Sequence, residues 1–280
     1  MAPEILRLGP LVLHGYGTMV GLGLVLCWFV LTAEARRKGL EPLARDLGSL
    51  YLWMLLAGFV GGKLYYVATS FDEFRGIWAS GDWRRIFGKG FVFYGSLLTC
   101  IPVFARWLKP RGLPFLKALD VVIYAAPIML GMGRVGCFLA GCCYGHRTDV
   151  PWAVVFTRGD GLNGVPLHPA QLYETLGCAL IFAFLWFFVR GRERFDGHVT
   201  AVYFVLYGVE RFTVEFFRGD VARGFVVGGE ALKPGDPPHG LAFSQVVSIP
   251  VALLGVLWLW RGLARARRGA PSRAELRRRR

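Results

Sequence analysis

Charge is scarce in this chain, and acidic charge most of all. Charged residues make up 19% of the 280 positions, with 19 Asp and Glu against 33 Lys and Arg. Hydrophobic residues make up 54%, and mean hydropathy is +0.44. A soluble domain of this size needs more polar cover than that. Strict apolar–polar alternation is also missing, which excludes a transmembrane β-barrel. No internal repeat is visible, so the inverted halves of many secondary transporters are absent. The last apolar run lacks a lysine, which excludes a retinal-type photoreceptor. The net charge of +14 comes without an aromatic-interleaved basic platform or a known nucleic-acid motif, so no nucleic-acid partner is read from it.

What remains is a series of apolar runs, each roughly 18–23 residues long, enough to cross a bilayer as helix. They cover about Leu11–Ala33, Leu47–Thr69, Phe91–Leu108, Ala118–Leu139, Ala170–Val189, His198–Phe217 and Leu241–Trp260. Backbone groups in lipid must be satisfied within their own segment, so the runs predict helices. The expected fold is an all-α integral membrane protein with seven transmembrane helices. The first run has no basic stretch before it and ends in Glu34-Ala35-Arg36-Arg37-Lys38, so it reads as a retained helix rather than a cleaved signal. With the N-terminus outside, twice as many Lys and Arg fall on inner segments as on outer ones, mainly through nine arginines after Trp260. That bias predicts N-terminus out and C-terminus cytoplasmic. One membrane domain is expected over 1–260, followed by a basic cytoplasmic tail over 261–280 that is expected to be disordered and to sit on anionic lipid.

Ionisable groups inside such helices are costly and mark function by default. In this topology they share one layer. His14 and Tyr16, Lys63, Tyr94, Arg134, the stretch HPAQLYE with His168, Gln171, Tyr173 and Glu174, and Tyr207, Glu210, Arg211 and Glu215 all fall in the outer half. Asp120 alone lies near an inner end, as an interfacial or capping residue. The layer reads as one polar cavity opening outward. Tyr207, Arg211 and Glu215 repeat every four residues and line one helix face. Arg211 is either held by Glu215 or left facing a ligand. Arg134 stands among glycines 131, 133, 136, 141 and 145, which admit close approach. A guanidinium there suits a phosphate, and a phospholipid headgroup is the phosphate at that depth. The spacing of Cys137, Cys142, Cys143 and His146 is not a standard zinc spacing. The cysteines read as small packing residues, with a disulfide at Cys137 as the alternative, and no metal is assigned.

These segments together resemble the prolipoprotein diacylglyceryl transferase family, from about His14 to Pro250. The resemblance rests on HGYG, GGKLYYV, GFVFYGSL, GRVGCFLAGCCYG followed by TDVPWAVVF, HPAQLYE, YGVERFTVEFFR and SQVVSIP, in the family's order and spacing. It implies a multi-pass enzyme of the bacterial cytoplasmic (inner) membrane with its active site towards the outer side. The implied reaction moves diacylglyceryl from phosphatidylglycerol to the lipobox cysteine thiol of a prolipoprotein signal peptide, forming a thioether and releasing glycerol phosphate. No cofactor is implied. By position, the resemblance makes Arg134 and Arg211 the phosphatidylglycerol-binding and second essential arginines, with Gly95 and Tyr207 beside the lipid. It makes His14, Tyr16, Tyr94, Arg211 and Glu215 the catalytic set. Three positions depart from the pattern. Tyr94 stands where histidine is frequent, Cys137 and Cys142 replace asparagine and glutamate, and Lys63 stands where arginine is common. With no histidine at 94, His14 is the first candidate base and Glu215 the second. Two other functions fit the same cavity: a non-catalytic phospholipid-binding paralogue and a lipid or solute transporter.

Overall fold

The structure is a computed structural model, and it describes residues 4–8, 11–81, 93–156, 162, 164–219, 224–228, 235–237 and 239–268. It is mostly helical. Five helical stretches are long and apolar enough to cross a membrane: Gly15–Arg37, Leu47–Thr69, Phe115–Ala140, Ala170–Val189 and Phe243–Arg268. Their large apolar side chains point outward. Phe29 and Phe187 are each 68% exposed, and Trp260 is 66% exposed. Such helices are covered by lipid rather than by water, and the chain is a multi-pass helical membrane protein. The chain forms two compact units, Met1–Leu31 with Leu119–Arg280, and Thr32–Ala118.

The first unit opens with strands β1 (Glu4–Leu8) and β2 (Leu11–His14), paired antiparallel. The first apolar run therefore starts as strand, and helix α1 (Gly15–Arg37) begins only after His14. The run expected over Ala118–Leu139 is broken. Helix α6 (Phe115–Val122) and helix α7 (Ala125–Ala140) meet at Ile123–Tyr124. Pro127 is the cause: it has no N–H to give the Ile123 carbonyl, and the Ala126 N–H takes that carbonyl instead, at 3.1 Å. Helix α8 (Ala170–Phe184) finishes in a π turn over Leu185–Val189. Helix α9 (His198–Val214) finishes in a 3-10 turn over Glu215–Phe217. Helix α10 (Phe243–Arg268) continues eight residues beyond Trp260; residues 269–280 of the basic tail lie outside the described residues.

Small residues bring these helices close. On α1, Gly23 faces Met129 and Met132 of α7, and the Cys27 thiol lies 3.8 Å from the Ala125 carbonyl. A Cβ on Gly208 of α9 would lie 2.8 Å from that of Ala252 on α10. Asp120 is fully buried and does cap a helix. Its carboxylate accepts the N–H groups of Gly197 (2.8 Å) and Thr200 (2.9 Å) and the Thr200 hydroxyl (2.8 Å). It thereby answers the orphan donors that begin α9.

Between α7 and α8 the chain forms a small cap. Strands β3 (Val154–Val155) and β4 (Pro166–Leu167) pair antiparallel over a core of Tyr144, Phe156, Leu162 and Leu167. Strands β5 (Phe225–Val227) and β6 (Leu241–Ala242) pair before α10.

The second unit holds helices α2 (Glu41–Arg45), α3 (Leu47–Thr69), α4 (Phe71–Ala79) and α5 (Phe93–Leu108). Glycine on both sides lets α3 and α5 touch by their backbones: a Cβ on Gly61 would strike Thr99 and the Gly95 carbonyl. The Ser96 hydroxyl donates to the Gly58 carbonyl at 2.8 Å, and Thr99 Oγ1 lies 2.8 Å from the Ala57 carbonyl.

Candidate functional site

In the first unit, α7 carries Arg134 toward its C-terminal end. Helix α8 presents Gln171, Glu174, Thr175 and Cys178 on one face, the spacing of a single helical stripe. The face meets α7. Arg134 Nε lies 2.8 Å from Glu174 Oε2, with side chains 20% and 3% exposed. Gln171 Nε2 donates to the Cys142 carbonyl at 2.7 Å. The Thr175 hydroxyl lies 3.3 Å from the Gly131 carbonyl and 2.8 Å from that of Gln171. Tyr16, in the first turn of α1, lies across Gly136; a Cβ there would sit 2.9 Å from the tyrosine ring.

Helix α9 supplies the second arginine. Arg211 Nη2 lies 2.8 Å from Glu215 Oε2, four residues on, and Glu215 is buried. The ion pair that the spacing allowed is present. It uses only part of the guanidinium, because Arg211 Nη1 is buried and makes no hydrogen bond among the described residues. Tyr207 sits one turn earlier, stacked on Tyr203 with ring centres 5.5 Å apart. Both carboxylate oxygens of Glu210 are buried without a hydrogen-bond partner among the described residues. Arg134, Glu174 and Arg211 all lie within electrostatic reach of Glu210. Glu210 also lines a 640 Å³ cavity with Trp152, His168, Tyr173, Leu176 and Phe217.

A backbone crossing fixes the loop after α7 to the end of α9. The Gly145 N–H donates to the His168 carbonyl (2.9 Å), the His146 N–H to Phe217 (3.0 Å), and the Gly219 N–H to Tyr144 (3.2 Å). A Cβ on Gly145 would lie 2.5 Å from the Phe217 carbonyl, so glycine is required there. The crossing holds Arg218, which is 7% exposed, beside the loop. Glu174, which the sequence marks only by its depth, and Arg218, which it does not single out, both lie among these residues. Arg218 follows the apolar run directly and reads as a loop charge. Glu174 is visible as a polar group, but its pairing across two helices is not.

His168 is nearly buried. Its Nδ1 lies 2.9 Å from the Tyr173 hydroxyl, which accepts the Trp152 indole N–H at 2.7 Å. Burial, and then His146 beside it, push its imidazole below the ordinary histidine range. The Cys143 thiol lies below its ordinary range, through hydrogen bonds from the thiols of Cys137 and Cys142 and then the guanidiniums of Arg134 and Arg218.

His14 ends β2 with its side chain exposed, and its carbonyl accepts the Thr18 hydroxyl at 3.0 Å. Gly95 lies in the second unit, where a Cβ would strike the Gly61 carbonyl and Tyr65. The Tyr94 side chain lies outside the described residues.

Residues 3–261 match the family model described as prolipoprotein diacylglyceryl transferase. The chain belongs to the prolipoprotein diacylglyceryl transferase family. Curated relatives named phosphatidylglycerol–prolipoprotein diacylglyceryl transferase are similar over nearly their whole length. That of Clostridium tetani is 33% identical over 257 residues, covering 91% of this chain and 96% of its own. That of Nitratidesulfovibrio vulgaris is 35% identical over 267 residues, covering 92% and 93%. That of Geobacter sulfurreducens is 33% identical over 259 residues, covering 91% and 92%. Arg134 through Arg218 thus lie inside the transferase match, on a site built wholly within the first unit.

Proposed function

We propose that this chain transfers the diacylglyceryl group of phosphatidylglycerol to the lipobox cysteine of prolipoproteins, the lipid-attachment step of bacterial lipoprotein maturation. It does so as a seven-helix protein of the cytoplasmic membrane, N-terminus out, with the site towards the outer side. One observation carries the chemistry: a buried guanidinium nitrogen, Arg211 Nη1, with no partner among the described residues. An unsatisfied buried donor costs about 1–3 kcal/mol, more when charged, and a phosphate oxygen satisfies it. Arg134 binds the same headgroup from the α7 side, and Tyr207 flanks the lipid.

The lipobox thiol loses its proton, because the thiolate is the nucleophile. Sulfur forms a bond to the glyceryl carbon. The bond from that carbon to the phosphate oxygen breaks, and glycerol phosphate leaves with the electron pair. Arg134 and Arg211 are fixed before the reaction, so they stabilise the departing charge with little reorganisation. Glu215 holds Arg211 in place, and Tyr16 lies beside the leaving group. Tyr94 has a reference pKa of about 10 and accepts a proton poorly at neutral pH. His14, exposed at the head of α1, takes the thiol proton.

The test is transfer of labelled diacylglyceryl from phosphatidylglycerol to a lipobox peptide by purified protein in vesicles. Wild-type protein turns over, and Arg211→Lys, which loses the second guanidinium arm, slows by about 10²–10³-fold. An unchanged rate in Arg211→Lys would remove the phosphate assignment. No turnover by wild-type protein would remove the transferase reading.

A further inference from the structure

Cys137, Cys142 and Cys143 take no part in the steps above, yet their three sulfurs lie within 4.8 Å of one another. Two backbone features gather them. Gly141 ends α7 in the left-handed region, at φ 74°. Cys143 is also left-handed, at φ 59°, and among the described residues no other non-glycine is. Cysteine rarely adopts that region, and it persists only where the surroundings over-determine it. The bond from Gln171 to the Cys142 carbonyl and the crossing at Gly145 do so here. Adjacent residues in extended chain point apart; the turn at Cys143 brings its sulfur back to its neighbours.

A zinc ion takes thiolate sulfurs at about 2.3 Å, so tetrahedral sulfurs stand about 3.8 Å apart. The cluster needs to close by about 1 Å, a side-chain adjustment. Three thiolates are a soft set that favours zinc among common divalent ions. Zinc with three thiolates carries one net negative charge, and Arg134 and Arg218 both act on this loop. Among the described residues no fourth histidine, cysteine or carboxylate completes the group. Three protein ligands and one open position is the arrangement of catalytic zinc, whereas structural zinc is closed. Cys142 is exposed, so the open side is reachable.

We infer that Cys137, Cys142 and Cys143 bind one zinc ion whose fourth position receives the thiol of the protein substrate. The inference rests on the transferase reading above. A zinc-bound thiol is deprotonated outright, so the substrate meets the lipid as thiolate at neutral pH. Its proton passes to His14 or to water. The zinc-held sulfur then forms the bond to the glyceryl carbon, and glycerol phosphate departs as before. The product is a neutral thioether, a weaker ligand than the thiolate, and it leaves the metal.

The test uses the full chain, purified in detergent with reductant, loaded with zinc or with cobalt(II), and freed of loosely held metal. The expected result is one zinc per chain and strong thiolate-to-cobalt absorbance that drops in Cys137→Ser, Cys142→Ser and Cys143→Ser. A lipobox peptide raises that absorbance, and the same peptide with serine for cysteine does not. Chelation slows transfer by about a hundredfold or more. Zinc far below one per chain, metal binding unchanged in the serine variants, or a disulfide between two of these cysteines in protein isolated from cells overturns the inference. Equal transfer by chelated and zinc-loaded protein overturns it too, and leaves the transferase reading standing. Zinc held by three sulfurs in protein that transfers nothing overturns the transferase reading and leaves the metal site.

Discussion

Arg134 has one partner in this structure and a second under the proposed function, and one pair of substitutions separates the two roles. The arginine neutralises Glu174, whose side chain is 3% exposed, through a contact of 2.8 Å. In the proposed reaction it also binds the lipid headgroup. Arg134→Gln removes both functions. The first loss leaves a carboxylate buried without its cation, which costs about 3–5 kcal/mol. At 1.4 kcal/mol per tenfold, the folded fraction falls by roughly two to three and a half powers of ten. Adding Glu174→Gln removes the stranded charge. The neutral amide pair returns stability to within about 1 kcal/mol of wild type, since both partners of a buried pair go together. Transfer does not return, because the guanidinium on the α7 side of the phosphate is gone and Arg211 alone remains. The assay is therefore double: unfolding of purified protein in detergent, and labelled-lipid transfer by the surviving folded fraction. Recovery of both stability and transfer in the double variant would show that Arg134 serves only Glu174. An unchanged midpoint in the single variant would show that the pair contributes nothing.

Three further outcomes follow from the same structure. Asp120→Ala strands the Gly197 and Thr200 donors at the start of α9 and lowers stability by about 2–3 kcal/mol, read from the unfolding midpoint; Asp120→Asn recovers part of it. Gly61→Ala forces α3 and α5 apart and costs about 1–3 kcal/mol, and a variant as stable as wild type would contradict the backbone contact. His168 has its folded pKa depressed by burial and then by His146, so the unfolded chain binds its proton first on acidification. Stability from this group is full above the unfolded value of about 6.5 and falls as pH drops from there toward the lower folded value. Thermal midpoints between pH 8 and 5 show that slope, and His168→Gln flattens it.

Much of the site is legible because lipid makes charge conspicuous. Arg134 stands alone in its apolar run, and the four-residue step from Arg211 to Glu215 allows the ion pair that the structure shows, although the spacing alone left a ligand as the alternative. Asp120 reads as a cap because it sits at a helix end, and the structure makes it one, although its target lies 77 residues away at Gly197. Other features are silent in one dimension. Arg218 adjoins loop residues and looks like a solvated charge until the crossing at Gly145 buries it. The sulfur cluster depends on one dihedral angle, at Cys143, that no spacing rule encodes. Val12 and Leu13 read as the start of a helix, but backbone pairing with β1 wins before α1 begins. The break between α6 and α7 is written at Pro127, yet the apolar run passes through it without interruption.

The division of the chain has a consequence for its synthesis. The second unit is contiguous, so α3 and α5 can meet as soon as both have left the ribosome. The first unit is not. Helix α1 rests on α7 through Gly23 and Cys27, and the Cys27 contact is with Ala125, 98 residues later. At roughly 5–20 residues per second, that partner arrives about 5–20 s after α1 is made. During that interval the glycine face of α1 has only lipid or the insertion machinery against it. The candidate site, with Tyr16 lying across Gly136, is thus among the last parts of the protein to form, and a chain truncated before α7 lacks Arg134 altogether.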